Sequence, residues 1–397
     1  MIPLRSVVIT SIFISFYSAT CSQTTINDSI FHQGDYRYYT TYTPSGFNVS
    51  VELPVVFVLH GGGGDMSGAM AFDFQNIADT ANFIIVFPQG KKAPGPGYGW
   101  ADGRGSPMDT MGINDVDFFD VLIDTLKTGY NINLSRVYFT GMSNGGFMTQ
   151  RLACELTDHI AAVSSVASTI DTSIVSSCLP SKAIPVMLIS GTLDPIVPYA
   201  GGDMGSNHGY IISADSIVNY WRGINNCTTQ IDSFAFPNVN ASDSSNVISY
   251  TNEVCDCNTQ VKFLKVIGGG HTWPGYPQPF LEWYLGKVNK DIDAEVEIWR
   301  FFREFTNTCF STSVFDSEAE NNTVLIYPNP TNKNIHIKNI PRGSWVKLAD
   351  ITGKELYSEQ KLADFIITVD LEKYTPGIYI LTVSDLDKKL RYKIVKQ

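Results

Sequence analysis

The chain has 397 residues, 44% of them hydrophobic and 17% charged, with a formal net charge of −11. That length leaves room for two to three domains of about 150 residues each, and the charge content, low against about 25% in ordinary domains, excludes a wholly disordered chain. The acidic balance excludes general nucleic-acid binding through phosphate contacts.

At the N-terminus Arg5 precedes an apolar run over residues 7–16, followed by the small residues Ser18, Ala19 and Thr20. A positive flank, a short apolar stretch and a small-residue end predict a secretory signal peptide over 1–22. The run is too short to span a bilayer, which takes about 20 residues, and no other segment is apolar for long enough.

Residues 54–60 (PVVFVLH) form an apolar run of strand length that stops at Gly61-Gly62-Gly63-Gly64. Helical spacing follows over 70–82, then a second buried strand over 83–87, stopped by Pro88. A helix is predicted over 116–126 and strands over 136–140, 184–189 and 261–267, with a closing amphipathic helix over 292–305. Non-alternating apolar strands separated by helices indicate an α/β fold over 25–310, a mostly parallel sheet with helices on both faces. Residues 311–322 are polar and acidic and read as a linker. From 323 to 397 short strands alternate with turn residues such as Pro328-Asn329-Pro330 and Pro376-Gly377, which predicts a small all-β sandwich. Its charge also differs, with 12 Lys and Arg against 9 Asp and Glu over 320–397.

The candidate chemistry sits where strands end. Gly141-Met142-Ser143-Asn144-Gly145 lies between the strand over 136–140 and a helical stretch over 146–156, which is the required setting of a G-x-S-x-G nucleophile elbow. Glycines two residues either side of Ser143 relieve the crowding of a sharp turn. A nucleophilic serine needs a base, and the base an orienting carboxylate, here in the chain order Ser, Asp, His. Of six histidines, order removes His32, His60 and His159, and His336 lies in the β module. His271, in a glycine-rich loop after the strand over 261–267, is favoured over His208. Asp194, in Gly191-Thr192-Leu193-Asp194-Pro195 after the strand over 184–190, read as the next strand after the elbow unit, is the acid. The His60-to-Gly64 loop matches the one that supplies an oxyanion N–H, with donors from Gly61 or Gly62 and from Asn144. A phosphate loop is excluded because no Gly-Lys-Ser/Thr follows. Trp100 and Trp273 are expected to line the substrate cleft. The acidic run Asp115, Asp117, Asp120 and Asp124 reads as a solvated helix face, not a metal site. Without Cys21, which falls in the signal segment, six cysteines remain: Cys154, Cys178, Cys227, Cys255, Cys257 and Cys309. An even count in an exported chain implies disulfides, in any of 15 pairings.

These motifs together resemble the secreted esterases grouped as polyhydroxybutyrate depolymerase-like and feruloyl esterase-like proteins of the α/β-hydrolase superfamily. The carriers are LHGGGG at 59–64, FPQG at 87–90, DVDF at 115–118, GMSNGG at 141–146, Asp194-Pro195 and GHTWPG at 270–275. The resemblance implies Ser143 as nucleophile, Asp194 as acid and His271 as base. It also implies a Cys154–Cys178 disulfide and pairing of Cys227 with Cys255 or Cys257, the other joining Cys309. The tail, through YPNP at 327–330, Gly353-Lys354, GIY at 377–379 and KIVKQ at 393–397, resembles the C-terminal sorting domain of the type IX secretion system of Bacteroidetes. A carbohydrate-binding sandwich is the alternative there, but the tail shows no aromatic platform.

The expected protein is a secreted carboxylic-ester hydrolase working through an acyl-enzyme, on polyester or plant cell-wall esters. It is expected to need no cofactor or metal and to meet the secretion machinery through its tail. A catalytically silent binding module and a serine peptidase on the same fold are the alternatives.

Overall fold

The computed structural model describes residues 23–205, 208–276, 282–307, 324–338, 340, 344–350, 354–360, 367–384 and 389–396. The expected signal peptide, the linker and Cys309 lie outside the described residues. The chain divides into two compact units, 1–311 and 312–397.

In chain order the first unit begins with strands β1 (Thr24–His32), β2 (Asp35–Thr43) and β3 (Leu53–Leu59), helices α1 (Met66–Met70) and α2 (Phe74–Ala81), and strand β4 (Ile84–Pro88). The two-residue strands β5 (Lys91–Lys92) and β6 (Tyr98–Gly99) precede α3 (Asp115–Tyr130), β7 (Ile132–Met142), α4 (Asn144–Glu155), β8 (Ala162–Val166), α5 (Thr172–Ser177) and β9 (Val186–Gly191). After the β10 (Gly202–Asp203) and β11 (Tyr210–Ile211) hairpin come α6 (Ala214–Ile224), β12 (Asp232–Ala235), β13 (Asn246–Asn252), β14 (Val261–Ile267), α7 (Glu282–Leu285) and α8 (Ala294–Phe302).

Ten of these strands form one sheet in the order β1-β2-β4-β3-β7-β8-β9-β14-β13-β12. The six from β4 to β14 run parallel, and antiparallel pairs close both edges. The arrangement is the α/β-hydrolase fold. Strand β3 shows why both faces must be covered, since all seven of its residues are buried. Val55, Phe57 and Leu59 pack in one core with Phe118, Phe119 and Leu122 of α3 and Trp221 of α6. Val56 and Val58 pack in a second core with Phe74 and Ala78 of α2 and Phe301 and Phe302 of α8. Alternate side chains of one strand thus feed opposite layers.

Local signals fix the element ends. Asn114 caps α3 by accepting from the Asp117 N–H, Asp115 and Asp117 occupy the first turn, and Asn131 ends the helix in the left-handed region at φ 51°. The helix predicted over 70–82 is shorter, running over Phe74–Ala81 as α2, and a separate short helix, α1, precedes it. Asp65 caps the short α1, and Asp73, at φ 56°, stops the chain from running straight into α2. Strand β8 was not legible because its centre is Ser164-Ser165, and it intervenes between the elbow unit and β9, so β9 is the second strand after the elbow and not the next one. The Cys154–Cys178 bond joins the end of α4 to the end of α5. Cys227 pairs with Cys255, and Cys257 is also disulfide-bonded.

The second unit has two antiparallel sheets, one of β15 (Leu325–Tyr327), β16 (Asn334–Lys338) and β19 (Ile367–Asp370). The other is built from β17 (Trp345–Asp350), β18 (Glu355–Gln360), β20 (Gly377–Ser384) and β21 (Lys389–Lys396). Ile335, Ile337, Val346, Leu348, Val369 and Leu381 fill the core between strands whose inward residues alternate with polar ones.

Candidate active site

Ser143 stands between the last residue of β7 and the first of α4, at φ 54° and ψ −122°, a backbone conformation that L-residues rarely adopt. Its N–H donates to the Val166 carbonyl of β8 at 2.9 Å. The flanking glycines are compulsory. A Cβ on Gly141 would lie 2.6 Å from the Gly145 carbonyl group, and one on Gly145 would lie 2.5 Å from the carbonyl oxygens of Leu59 and His60. The turn is therefore packed against the end of β3, which brings the glycine loop alongside. A Cβ on Gly61 would sit 3.5 Å from Ser143 Cβ, and one on Gly62 3.4 Å from Asn144 Cβ. Asn144, as the first residue of α4, has a backbone N–H with no intrahelical partner.

His60 holds that loop from beneath. The Gly90 N–H donates to its Nε2 at 3.0 Å, so Nε2 is unprotonated and Nδ1–H donates to the Gly61 carbonyl at 2.8 Å. Burial lowers the His60 pKa from 6.5 to about 4, so the ring is neutral at ordinary pH. Gly63 and Gly64 exchange backbone hydrogen bonds with Tyr98 of β6 at 2.9 and 3.0 Å.

Asp194 and His271 lie on the loops after the parallel neighbours β9 and β14. Asp194 Oδ1 accepts from the N–H groups of Ile196 (2.8 Å) and Val197 (2.7 Å), leaving Oδ2 to accept from His271 Nδ1 at 2.8 Å. Both side chains are buried. The carboxylate fixes the Nδ1–H tautomer and leaves Nε2 free to take a proton. The two loops meet through glycines again. A Cβ on Gly191 would lie 2.4 Å from the Gly269 carbonyl oxygen, and one on Gly270 2.2 Å from that of Leu285. The His271 N–H donates to the same Leu285 carbonyl at 2.6 Å. Among the described residues no hydrogen bond joins Ser143 Oγ to the His271 ring, a contact that empty sites often make only once substrate is bound.

Ser143 and Asn144 open into a cavity of about 670 Å³, with Gly62, Tyr98, Ile196 and Tyr284 among its walls. Arg104, Met204 and His208 also line it. His208 therefore has a place in the cleft that its position in the sequence did not reveal.

Two tryptophan expectations are corrected. Trp100 is completely buried, its ring against His60 and Phe119 and its Nε1–H donating to the His60 carbonyl at 3.0 Å. Trp273 is also completely buried, stacked on Phe72 with Nε1–H donating to Glu295. Both belong to the core and neither lines the cleft. The solvated-face reading of the acidic run fails at its first member. Asp115 is fully buried, paired with Arg37 at 2.5 Å and accepting from the Ala101 N–H at 2.8 Å. Sequence reasoning also missed Asp102, another fully buried carboxylate, paired with Arg104.

Residues 50–213 match the phospholipase/carboxylesterase family, and residues 325–397 match the secretion system C-terminal sorting domain. The carboxylesterase match takes in less than half of the chain. A bifunctional acetylxylan esterase/xylanase of Neocallimastix patriciarum is 27% identical over 250 residues, covering 62% of this chain and 33% of that protein. Feruloyl esterase B of Piromyces equi is 28% identical over 239 residues, 57% of this chain and 41% of the relative. Poly(3-hydroxyalkanoate) depolymerase C of Paucimonas lemoignei is 27% identical over 192 residues, 47% of this chain and 43% of the relative. The chain thus spans less than half the length of each of these relatives, and the match of its tail to a sorting domain indicates secretion.

Proposed function

We propose that the protein is a secreted serine esterase that removes acyl groups from plant cell-wall polysaccharide, with Ser143, His271 and Asp194 as its triad. The observation that supports this most is the buried Asp194–His271 pair, set on the strand ends of the same sheet whose elbow presents Ser143. In this reading His271 Nε2 takes the Ser143 proton as Oγ attacks the ester carbonyl. The backbone N–H groups of Gly61 or Gly62 and of Asn144 receive the developing oxyanion, each contributing about 10²–10³ in rate. His271 then protonates the departing alcohol, and a water repeats the sequence on the acyl-enzyme. Asp194 keeps the imidazole in its working tautomer and stabilises the imidazolium.

The cavity has the volume of sites that enclose a small organic ligand, which suits an acetyl or feruloyl group. The acetylxylan and feruloyl esterase relatives support that acyl class. A polyester chain is the second reading, favoured by the depolymerase relative. Export is proposed to begin at the signal peptide over 1–22 and to finish through a type IX pathway that reads the tail. Purified protein assayed on methyl ferulate, acetylated xylan and polyhydroxybutyrate tests the substrate class. Turnover of either wall ester above polyester is the expected result, and turnover of polyester alone overturns it.

A further inference from the structure

The ester chemistry above makes no use of Asp102, although this carboxylate is completely buried. Burial pushes its pKa up, and Arg104 opposes that rise, with Nε 2.9 Å from Oδ2. The guanidinium lies over the Phe147 ring, 3.9 Å from its centroid. The same Oδ2 accepts from Asn144 Nδ2 at 2.5 Å. Asn144 also makes both of its remaining amide bonds to one residue. Its Oδ1 accepts from the Trp100 N–H at 2.8 Å, and Nδ2 donates to the Trp100 carbonyl at 3.1 Å. An ionised carboxylate only accepts, so Asp102 demands the amide orientation that Trp100 also needs. The side chain is further confined between two backbones, for a Cβ on Gly99 would come within 3.3 Å of Oδ1.

The segment that holds Asn144 also holds the opposite donor. Tyr98 pairs with Gly63 and Gly64, and Trp100 Nε1–H is bonded to His60. Residues 98–102 are therefore a single brace between the glycine loop and the first residue of α4. We infer that Asp102 is a positioning residue that acts through the Asn144 side chain to hold the Asn144 backbone N–H at a fixed spacing from the glycine-loop donor. This rests on the reading of Asn144 as an oxyanion donor. It adds a claim of its own, that a buried carboxylate with no role in proton transfer sets the height of the barrier. Because the oxyanion exists only past the ground state, loosening the brace lowers kcat and leaves KM in place.

Two double variants of the full chain test this. Asp102→Asn/Arg104→Met keeps an acceptor for Asn144 and removes the cation, whereas Asp102→Leu/Arg104→Met removes both. Active sites are counted by fluorophosphonate titration, and p-nitrophenyl acetate kinetics are expressed per active site. Relative to Arg104→Met alone, which takes up any effect of changing the cavity wall, the leucine variant is expected to lose about 10- to 100-fold in kcat, a fraction of or equal to one donor's worth, with KM within about twofold, while the asparagine variant recovers most of that loss. Equal kcat in the two variants, or a loss carried by KM, overturns the proposal. If the leucine variant does not fold, Asn144→Ala removes the held amide but keeps the backbone N–H. A loss confined to kcat is again expected, and an unaltered kcat overturns the proposal. Failure of the esterase reading looks different, because the wild-type chain itself then neither titrates nor turns over.

Discussion

His60, Trp100, Asp102 and Asn144 are buried and joined by side-chain hydrogen bonds that link the residue after β3, the segment after β6 and the start of α4. Asp194 and His271 are themselves buried, but Asp194 sits on a loop whose adjoining residues, Leu193 and Pro195, are open to solvent. Leu193 is 69% exposed, and Trp283, next to the cavity-lining Tyr284, is 83% exposed. The wall that would receive negative charge is over-determined, so little reorganisation is needed as charge develops. The loop of Asp194 lies beside the cleft, through Pro195 and Ile196, and loops of this kind carry function on a rigid scaffold. One half of the site is knitted together by side chains, and the other is a single buried pair held between two loops.

Breaking the Asp194–His271 half has the largest expected effect on turnover. His271→Ala is expected to lower kcat/KM for p-nitrophenyl acetate by on the order of 10⁴-fold or more. Asp194→Asn keeps one acceptor for the Ile196 and Val197 N–H groups but unsettles the imidazole tautomer. Its expected loss is about 10²- to 10⁴-fold, measured in the same assay. Breaking the knitted half shows up in stability instead. Gly145→Ala puts a methyl group 2.5 Å from two carbonyl oxygens, and chemical denaturation should report a loss of about 1–3 kcal/mol or more.

A pH titration sharpens the contrast. His60 is neutral in the fold down to about pH 4, while the unfolded chain protonates it near 6.5. Between those values the unfolded state binds the extra proton, so stability falls as pH is lowered from 6.5 towards 4, by on the order of 3 kcal/mol from this group. His60→Gln should flatten that part of the profile in thermal melts at stepped pH. At the far end of the scale, Leu193→Ser beside Asp194 should alter stability by no more than about 0.5 kcal/mol.

The legible parts of the site are those where the backbone itself is the constraint. Gly141, Gly145, Gly191 and Gly270 stand where any Cβ would collide, and such glycines mark the loops from sequence alone. Apolar runs such as β3 and β4 declared the parallel sheet for a similar reason, since both faces are covered. What stayed hidden depends on partners far along the chain. Asp115 looks like one more acid on a helix until Arg37 arrives from β2, and Asp102 gains its place only beside Asn144. Trp100 and Trp273 adjoin site motifs, yet adjacency in sequence does not say which way a ring points.

The most direct test is fluorophosphonate labelling of the full chain, followed by peptide mapping and repeated on Ser143→Ala. The account predicts one adduct, on Ser143, formed rapidly in the wild type and absent from the variant. A folded protein that takes no label, or takes it elsewhere with Ser143 unmodified, would contradict it.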